Sequence, residues 1–332
     1  SEFVSIAAEN KYSVDFSEVK GQYVAKRALE IAVAGGHNVL LIGPPGAGKT
    51  MMAKCVPTIM PDMTFEEAIE VTKIHSVAGI LDDSVGIVVN RPFRTPHHTA
   101  TVPALMGGGV NARPGEISLA HNGVLFLDEM PEYQRRTLET LRQPLEDGTA
   151  VVSRAKRTLE YPARFMLVAS MNPCPCGNLG SKTQECKCTP SEIHRYISKL
   201  SGPLLDRIDL QIEVDSISYD DFRSVVANES SASIKARVEK ARAIQRARYE
   251  GSKTKTNDEM TNAQVKTYCA LDKMGEALLK NAFTKLNLTA RASTRVLKVA
   301  RTIADLDASE SILSKHIAEA IQYRSLDRKY WD

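Results

Sequence analysis

One glycine-rich stretch constrains the fold of this chain more than any other feature of its sequence. It follows a short apolar run at residues 38–42 and precedes a segment of helical character that begins at Thr50. A strand, a glycine-rich loop and a helix in this order bind phosphate, because backbone N–H groups and the helix N-terminus converge on its oxygens. The predicted phosphate loop comprises Gly43, Pro44, Pro45, Gly46, Ala47, Gly48, Lys49 and Thr50.

The last two residues of this loop predict contacts to a magnesium–nucleotide complex. We expect the Lys49 ammonium group to contact the β- and γ-phosphates, and the Thr50 hydroxyl to bind Mg²⁺. A chance glycine-rich turn is the alternative, but it does not account for the strand and the helix on either side. The expected cofactors are therefore ATP and Mg²⁺.

Two further apolar runs, residues 123–127 and 165–170, predict buried strands of the same sheet. Strands that alternate with helices form mostly parallel sheets, with functional residues at the carboxyl ends of the strands. The first run ends at Asp128 and Glu129, and the second is followed by Asn172. We expect Asp128 to hold Mg²⁺ through water, Glu129 to polarise the attacking water and Asn172 to orient it. A solvated acidic pair in a loop is the alternative for the two carboxylates.

A change of texture along the chain predicts two domains. Glycine becomes scarce after residue 217, and helical periodicity dominates residues 234–249 and 294–306. The expected fold class is α/β, with a parallel sheet flanked by helices in a nucleotide-binding domain at residues 1–216. A helical lid is expected at residues 217–332.

Composition indicates the class of protein and the cellular compartment to expect. Of its 332 residues 43% are hydrophobic and 25% charged, as in globular proteins. It has no run of about 18 apolar residues that would span a membrane. Six cysteines without a signal peptide favour reduced thiols or metal ligands over disulfides, so we expect a cytoplasmic protein without a membrane partner. The net charge of +3 is too small to indicate nucleic-acid binding, which must be argued from local patches.

Two insertions carry basic residues that could contact DNA. Asp128 follows Lys49 by 79 positions, more than a strand–helix–strand connection needs, so an insertion is expected near residues 79–109. A second excursion at residues 150–161 alternates apolar and polar residues and predicts a β-hairpin. Basic residues there would bind DNA phosphates without reading bases, unless they only solubilise the hairpin edges. The candidate DNA contacts are Arg154, Lys156 and Arg157 in the hairpin, and Arg91 and Arg94 in the first insertion.

Four of the six cysteines form two close pairs in a loop rich in proline, glycine and lysine. Cys174 and Cys176 form one C-x-C pair, Cys186 and Cys188 form the other, and nine residues separate the pairs. Four thiolates this close together suit tetrahedral Zn²⁺, which would hold together a loop of little apolar content. The usual spacing within a pair is C-x₂-C, so reduced thiols and disulfides stay open as alternatives to a structural zinc site.

Seven stretches spread over nearly the whole chain carry a family resemblance. The stretches are residues 70–79, 91–98, 107–109, 113–120, 141–148, 172–177 and 299–306. Through them the chain resembles the AAA+ ATPases of the magnesium-chelatase-like class, and more closely the ComM/YifB family. The resemblance implies a hexameric ATPase, whose first partner is further copies of itself. In the competence branch of the family it implies a DNA helicase that migrates branches during integration of transforming DNA.

The resemblance also implies roles for individual residues of the nucleotide site. It makes Asn172 the first sensor of the nucleotide state and Arg291 the second, with Arg295 as the alternative for the second role. Gly21 and Gln22 match the family's loop on the adenine side of the nucleotide. Family members also carry an N-terminal domain that resembles that of Lon protease. No stretch of this sequence matches that domain, so we expect an ATPase core.

Arg207, just before the predicted lid, matches the family's arginine finger. Composition alone would favour an ordinary surface ion pair for it. A finger that reaches the ATP of the next subunit would neutralise charge in the transition state of hydrolysis. Such a contact requires a ring, because head-to-tail contacts close only by rotation.

Three functions stay open at this point. The first is an ATP-driven branch-migration helicase. The second is the ATPase subunit of a magnesium chelatase, which drives metal insertion into a porphyrin through partner subunits and would use the same ATP chemistry. The third is a nucleotide-gated interaction module with negligible turnover, against which the predicted base Glu129 argues. DNA-stimulated ATPase activity separates the first function from the second.

Overall fold

The computed structural model describes residues 2–9, 12–154 and 157–331, and its centre is a five-stranded sheet. The strands of the described residues are β1 (Val39–Ile42), β2 (Phe93–Arg94), β3 (Gly107–Gly108), β4 (Arg113–Pro114), β5 (Val124–Leu127), β6 (Thr149–Arg154), β7 (Arg157–Pro162), β8 (Met166–Met171) and β9 (Leu210–Glu213). The sheet has the order β2–β5–β8–β1–β9, and every neighbouring pair is parallel. This arrangement confirms the predicted α/β class.

Helices surround this sheet and build most of the C-terminal third of the chain. Those before β9 are α1 (Glu2–Glu9), α2 (Tyr23–Gly35), α3 (Lys49–Cys55), α4 (Phe65–Val77), α5 (Val102–Met106), α6 (Glu116–Leu119), α7 (Arg135–Glu139), α8 (Arg142–Asp147), α9 (Pro190–Ile197) and α10 (Gly202–Leu205). Those after β9 are α11 (Tyr219–Arg223), α12 (Ser231–Arg248), α13 (Asn262–Tyr268), α14 (Lys273–Lys285), α15 (Ala290–Leu306), α16 (Ser314–Gln322) and α17 (Leu326–Trp331). Among the described helices, none combines the length and the apolarity that a bilayer crossing requires.

The three central strands are the three apolar runs of the sequence. All residues of β1, β5 and β8 are buried, as is usual in a parallel sheet covered on both faces. Val39 and Leu41 face one hydrophobic cluster, whereas Leu40 and Ile42 face the other, because successive side chains of a strand point to opposite faces. The first cluster continues into α2, α12 and α15, and the second into α9, α10 and α17.

Two strands of the sheet were not expected from the sequence. β2 has only two residues and lies between Pro92 and Pro96, so it carries no alternating pattern, yet it pairs with β5 inside the stretch predicted as an insertion. β9 pairs with β1, but its residues Leu-Gln-Ile-Glu make too short a pattern to stand out from a loop. Both strands owe their place to pairing with a central strand.

The predicted hairpin is present. β6 and β7 pair antiparallel from Thr149 opposite Pro162 to Arg154 opposite Arg157. A second, smaller ladder joins β3 and β4, and it touches the hairpin where Val152 lies against Gly107. The two antiparallel elements therefore form one continuous feature beside the parallel sheet.

The helical region after β9 packs directly on the sheet domain. Ile234 and Val238 of α12 and Val299 of α15 belong to the hydrophobic cluster that covers one face of the sheet. The helices predicted at residues 234–249 and 294–306 are thus present as α12 and α15. The domain boundary near residue 216 stays a prediction.

Candidate nucleotide site

The predicted phosphate loop connects the carboxyl end of β1 to the N-terminus of α3. The Gly43 N–H donates a hydrogen bond of 3.0 Å to the Met171 carbonyl oxygen, which ties the start of the loop to β8. A side chain at Gly43 would place its Cβ 2.2 Å from the Val214 carbonyl oxygen. Only glycine allows the chain to pass between β8 and the end of β9 at this point.

Two more glycines give the loop its curvature. Gly46 and Gly48 have φ angles of +78° and +89°, in the left-handed region that residues with a Cβ rarely adopt. This curvature directs the chain into α3, whose first residues are Lys49 and Thr50. The helix N-terminus and the loop amides therefore border the same cleft, as anion binding requires.

Lys49 lies buried at the base of this cleft and bonds to the loop itself. Its Nζ donates to the carbonyl oxygens of Gly43 and Met171, the latter at 3.2 Å, and to Oδ1 of Asn172 at 2.9 Å. Burial lowers the pKa of Lys49 to about 8, against the opposing effect of the carboxylates of Asp128 and Glu129. A phosphate would replace these carbonyl partners with a charged one.

The two predicted carboxylates follow β5 at the same edge of the sheet. Asp128 Oδ1 accepts a 2.5 Å hydrogen bond from the hydroxyl of Ser170, which lies fully buried in β8. Glu129 is exposed and has a φ of +51°, an uncommon conformation for a residue with a side chain. Ser170 was not expected from the sequence, although a hydroxyl inside an otherwise apolar strand is a signal that could have identified it.

These groups line one cleft with a volume of about 470 Å³. Its walls bring together the phosphate loop, the end of β5 and the end of β8, which is what the sequence predicted for the carboxyl edge. The lining residues are Pro45, Gly46, Ala47, Gly48, Lys49, Thr50, Met51, Asp128, Glu129, Ser170, Met171 and Asn172. The chemistry available here is a cation, two hydroxyls, two carboxylates and an amide around one space.

The loop expected on the adenine side contacts the phosphate loop directly. Gln22 Nε2 donates to the carbonyl oxygens of Ala47 at 2.9 Å and Asp215 at 2.8 Å. Gly21 and Gln22 have φ angles of +64° and +56°, and a Cβ on Gly21 would meet Oδ2 of Asp221 at 3.1 Å. The pair therefore links the phosphate loop to the chain that follows β9.

Arg207 lies at the opposite edge of the sheet from this cleft. It follows α10 and precedes β9, and its carbonyl oxygen accepts a 3.1 Å hydrogen bond from the amide of Asn38, just before β1. Its guanidinium group forms a 2.9 Å ion pair with Glu146, a partner that was not expected from the sequence. Arg207 is therefore at the amino edge, away from the nucleotide cleft of its own chain.

The two candidate arginines of α15 lie at the same amino edge. Arg291 is 71% exposed and faces Asp206 at 3.8 Å, whereas Arg295 is 20% exposed and forms an ion pair with Asp209 at 3.1 Å. His37 also bonds Asp209, at 2.8 Å. Burial alone would raise the pKa of Asp209, but Arg295 and His37 outweigh it and lower the pKa to about 2. Neither arginine contributes to the cleft of its own chain.

The candidate DNA contacts divide into two groups. Arg91 keeps 9% of its side chain exposed and donates to the carbonyl oxygens of Pro61 and Asn122, at 2.6 and 2.7 Å. Arg94 forms a two-bond ion pair with Glu116, at 2.7 and 2.8 Å. Both are engaged in holding β2 to its neighbours, and their assignment to DNA stays a prediction.

The second group consists of the three basic residues predicted in the hairpin. Arg157 is exposed at the start of β7. For Arg154 the structure describes the backbone at the end of β6, and Lys156 lies outside the described residues. The assignment of these three residues to DNA stays a prediction.

The four paired cysteines meet in space. Their sulfur atoms all lie within 4.8 Å of one another, and all four are free thiols. Cys174 Sγ is 3.4 Å from Cys176 Sγ and 3.7 Å from Cys186 Sγ. The Cys176 N–H points at Cys188 Sγ over 3.4 Å. Backbone N–H groups of Asn178 and Lys187 lower the pKa of Cys176 to about 6. The cluster could hold a zinc ion.

Comparison with known protein families covers most of the chain. Residues 15–222 match the family described as "Magnesium chelatase, subunit ChlI". Residues 228–324 match the family described as "Magnesium chelatase, subunit ChlI C-terminal". Together the two matches include the phosphate loop, both carboxylates, Arg207 and the arginines of α15.

Individual relatives agree with these matches. The chain is 47% identical to the uncharacterized protein YifB of Escherichia coli, over 95% of this chain and 61% of that protein. It is 44% identical to the competence protein ComM of Haemophilus influenzae, over 99% of this chain and 64% of that protein. It is 26% identical to the magnesium-chelatase 38 kDa subunit of Rhodobacter capsulatus, over 48% of this chain and 50% of that protein. The chain spans about three fifths of the length of YifB and ComM. It belongs to the magnesium chelatase ChlI family of AAA+ ATPases, with YifB and ComM among its relatives.

Proposed function

We propose that this chain is the ATP-hydrolysing part of a ring-shaped motor that acts on DNA, and that the motor is a branch-migration helicase. One observation carries the proposal. The cleft that fits a nucleotide is at the carboxyl edge of the sheet, and the arginines that fit its transition state are at the amino edge. A site divided in this way is complete only between two copies of the chain.

Within one copy, the cleft residues would bind Mg·ATP and prepare water for attack. Lys49 would leave the carbonyl oxygens it now contacts and bind the β- and γ-phosphates. Thr50 would bind Mg²⁺ directly and Asp128 through water, and the Ser170 hydroxyl would hold the Asp128 carboxylate in place. Bound Mg²⁺ supplies charge neutralisation on the phosphates. Glu129 would accept a proton from the attacking water, which Asn172 orients.

The neighbouring copy would supply the arginines. Arg207 would exchange Glu146 for the γ-phosphate of the adjacent nucleotide and stabilise the charge that develops during transfer. Arg291, the more exposed arginine of α15, would serve as the second sensor on that same nucleotide. Contacts of this head-to-tail kind close into a ring, and the family resemblance gives six copies.

DNA is the proposed substrate of the motor because the hairpin offers an exposed basic side chain and one relative is named a competence protein. Arg154, Lys156 and Arg157 would contact the phosphates of a strand that passes through the ring. Such contacts do not distinguish bases, so binding would be tolerant of sequence and sensitive to salt.

The four-cysteine cluster is the proposed site of one structural Zn²⁺. Four thiolates complete a tetrahedral shell and leave no position for substrate, which is the pattern of structural zinc rather than catalytic zinc. Bound zinc would supply the folding free energy that a loop with few apolar residues lacks.

A test of DNA as the substrate compares ATPase rates of the purified chain alone, with branched DNA, and with single-stranded DNA. The proposal expects stimulation by DNA that disappears in Glu129→Gln. The magnesium-chelatase relative favours a second candidate, an ATPase subunit for metal insertion into a porphyrin. A rate that DNA leaves unchanged would favour that second candidate. Turnover that Glu129→Gln leaves unchanged would favour a nucleotide-gated interaction module.

A further inference from the structure

The geometry points to a second role for the four-cysteine loop, residues 174–188: it packs against Pro45 of the phosphate loop, which lines the nucleotide cleft. We infer that a zinc ion bound there braces the phosphate loop, so that metal occupancy sets the affinity for Mg·ATP. This inference rests on the proposed zinc site and on the proposed ATPase site, and it connects the two.

The first link between the sites is covalent and short. Asn172, at the end of β8, accepts the 2.9 Å hydrogen bond from Lys49 and lines the cleft. Cys174 follows it by two positions and is fully buried. Because Pro173 stiffens the chain between them, a displacement of Cys174 carries Asn172 with it.

The second link is a direct contact between the cysteine loop and the phosphate loop. Gly177 packs against Pro45 so closely that a Cβ on Gly177 would lie 2.7 Å from Pro45 Cδ. The same Cβ would lie 4.0 Å from Nδ2 of Asn172. Gly177 is buried, directly follows the proposed ligand Cys176 in sequence and contacts Pro45, which lines the cleft. The cysteine loop therefore supports both the phosphate loop and the predicted first sensor.

Little besides a metal would hold this loop in position. Most side chains from Pro175 to Pro190 are exposed. Apart from contacts to the cysteine sulfur atoms, the hydrogen bonds described within the loop are local, such as Gly177 N–H to the Cys174 carbonyl oxygen at 3.0 Å. The sulfur separations of 3.4 and 3.7 Å match the edge of a tetrahedron with Zn–S bonds of about 2.3 Å. Four thiolates without a metal would instead repel one another.

Two glycines of this loop provide a matched pair of variants. Gly177 and Gly180 have φ angles of +83° and +77°, so alanine at either position strains the backbone in the same way. A Cβ at Gly180 meets nothing within 4 Å, whereas a Cβ at Gly177 meets Pro45. Both substitutions leave the four cysteines intact, which avoids the loss of folding expected when a ligand is removed.

The experiment measures zinc content and the Kd for Mg·ATP in the wild type, Gly177→Ala and Gly180→Ala. We expect about one zinc per chain in all three, a Kd raised about tenfold in Gly177→Ala and a Kd within about twofold of wild type in Gly180→Ala. Full zinc content with an unchanged Kd in Gly177→Ala would overturn the bracing role and leave the zinc site standing. Less than about half a zinc per chain in the wild type would overturn both the bracing role and the zinc site.

A second arm removes the metal from the wild-type protein with a zinc-selective chelator while Mg²⁺ is kept saturating. The Kd for Mg·ATP is expected to rise and to return when zinc is added back. Metal-free protein that binds Mg·ATP as tightly as before would contradict the inference. Failure of the zinc-loaded wild type to bind Mg·ATP at all would instead contradict the proposed ATPase site.

Discussion

The two edges of the central sheet are built on different principles. At the carboxyl edge, Lys49 donates a hydrogen bond to Asn172, and Asp128 accepts one from Ser170 of β8. All four residues line one open cleft. At the amino edge, Arg207 and Arg291 each face an acidic side chain of the same chain. The carboxyl edge is organised for a ligand that binds within one chain. The arginines of the amino edge reach no cleft of their own chain, as the proposed contact with a neighbouring copy requires.

The ion pairs of the amino edge differ in how easily they can be exchanged. Glu146, the partner of Arg207, is 62% exposed, and such pairs contribute only about 0–1 kcal/mol. In the second pair, Arg291 itself is 71% exposed and its partner Asp206 is 27% exposed. Arg295, in contrast, pairs with Asp209, which is only 1% exposed and would be left as a buried charge if the pair broke. The difference supports the proposed exchange with a phosphate for Arg207 and Arg291, and it favours a structural role for Arg295.

The largest effect is expected from removing the finger. Arg207→Ala should lower kcat by about 10³–10⁵ in the assembled particle while leaving Mg·ATP bound, because the lost interaction forms only in the transition state. Steady-state ATPase assays and nucleotide titration measure the two quantities. Glu146→Gln is the control, since it frees Arg207 without removing it and should keep kcat within about twofold. An Arg207→Ala variant with wild-type kcat would show that the amino edge does not complete the nucleotide site of a neighbouring copy.

The next effect concerns the base at the carboxyl edge. Glu129→Gln should lower kcat by about 10²–10⁴ because an amide cannot accept the proton of the attacking water. The substitution preserves shape, so Mg·ATP binding and assembly should persist and the variant should trap the ATP-bound state. Single-turnover hydrolysis of bound ATP measures the loss. A rate near that of the wild type would show that another group accepts the proton.

A smaller effect follows from the pKa of Lys49, which burial lowers to about 8. Phosphate favours the charged lysine and raises its pKa, so binding of Mg·ATP takes up a proton above pH 8. The affinity should be constant below about pH 7 and fall by up to about tenfold per pH unit above pH 8. Calorimetric titration in buffers of different ionisation enthalpy measures both affinity and proton uptake. The same Kd at pH 7 and pH 9 would show that Lys49 does not bind the phosphates.

The smallest effect is expected at the hairpin, which belongs to neither edge. Arg157→Ala should weaken single-stranded DNA binding about two- to fivefold and reduce the salt dependence by about one ion, without changing ATPase activity in the absence of DNA. Arg157→Lys keeps the charge and should restore the salt dependence. Fluorescence anisotropy at several salt concentrations makes the comparison. Identical salt slopes for wild type and Arg157→Ala would remove this residue from the DNA surface.

The sequence predicted the carboxyl edge far better than the amino edge, for a physical reason. Residues 38–42, 123–127 and 165–170 are mostly apolar runs, and the polar residues that follow them must meet at one edge of a parallel sheet. The two-residue strand β2 and the mixed strand β9 depend on pairing with distant strands, which local pattern does not encode. The partners Glu146 and Asp209 depend on packing between α8, α15 and the chain before β9.

The contacts of Arg91 and Arg94 also depend on strand order, which the local sequence does not encode. In the sequence, two arginines beside prolines indicate a basic surface. The fold buries one against carbonyl oxygens and pairs the other with Glu116, because β2 enters the sheet and carries them inward. Charge in a sequence indicates a binding surface only once the strand order is known.

The central claim is that each nucleotide site is shared between two copies of the chain, and mixing two inactive variants tests it most directly. Lys49→Ala cannot bind nucleotide productively, and Arg207→Ala cannot complete its neighbour's site. In mixed rings, a junction is intact when the Arg207→Ala copy supplies the cleft and the Lys49→Ala copy supplies the finger. With equal amounts and random assembly, ATPase activity should return to about a quarter of the wild-type value, since about one junction in four is intact. Mixed rings that form, as mass analysis would show, yet stay as inactive as either variant alone would contradict the account.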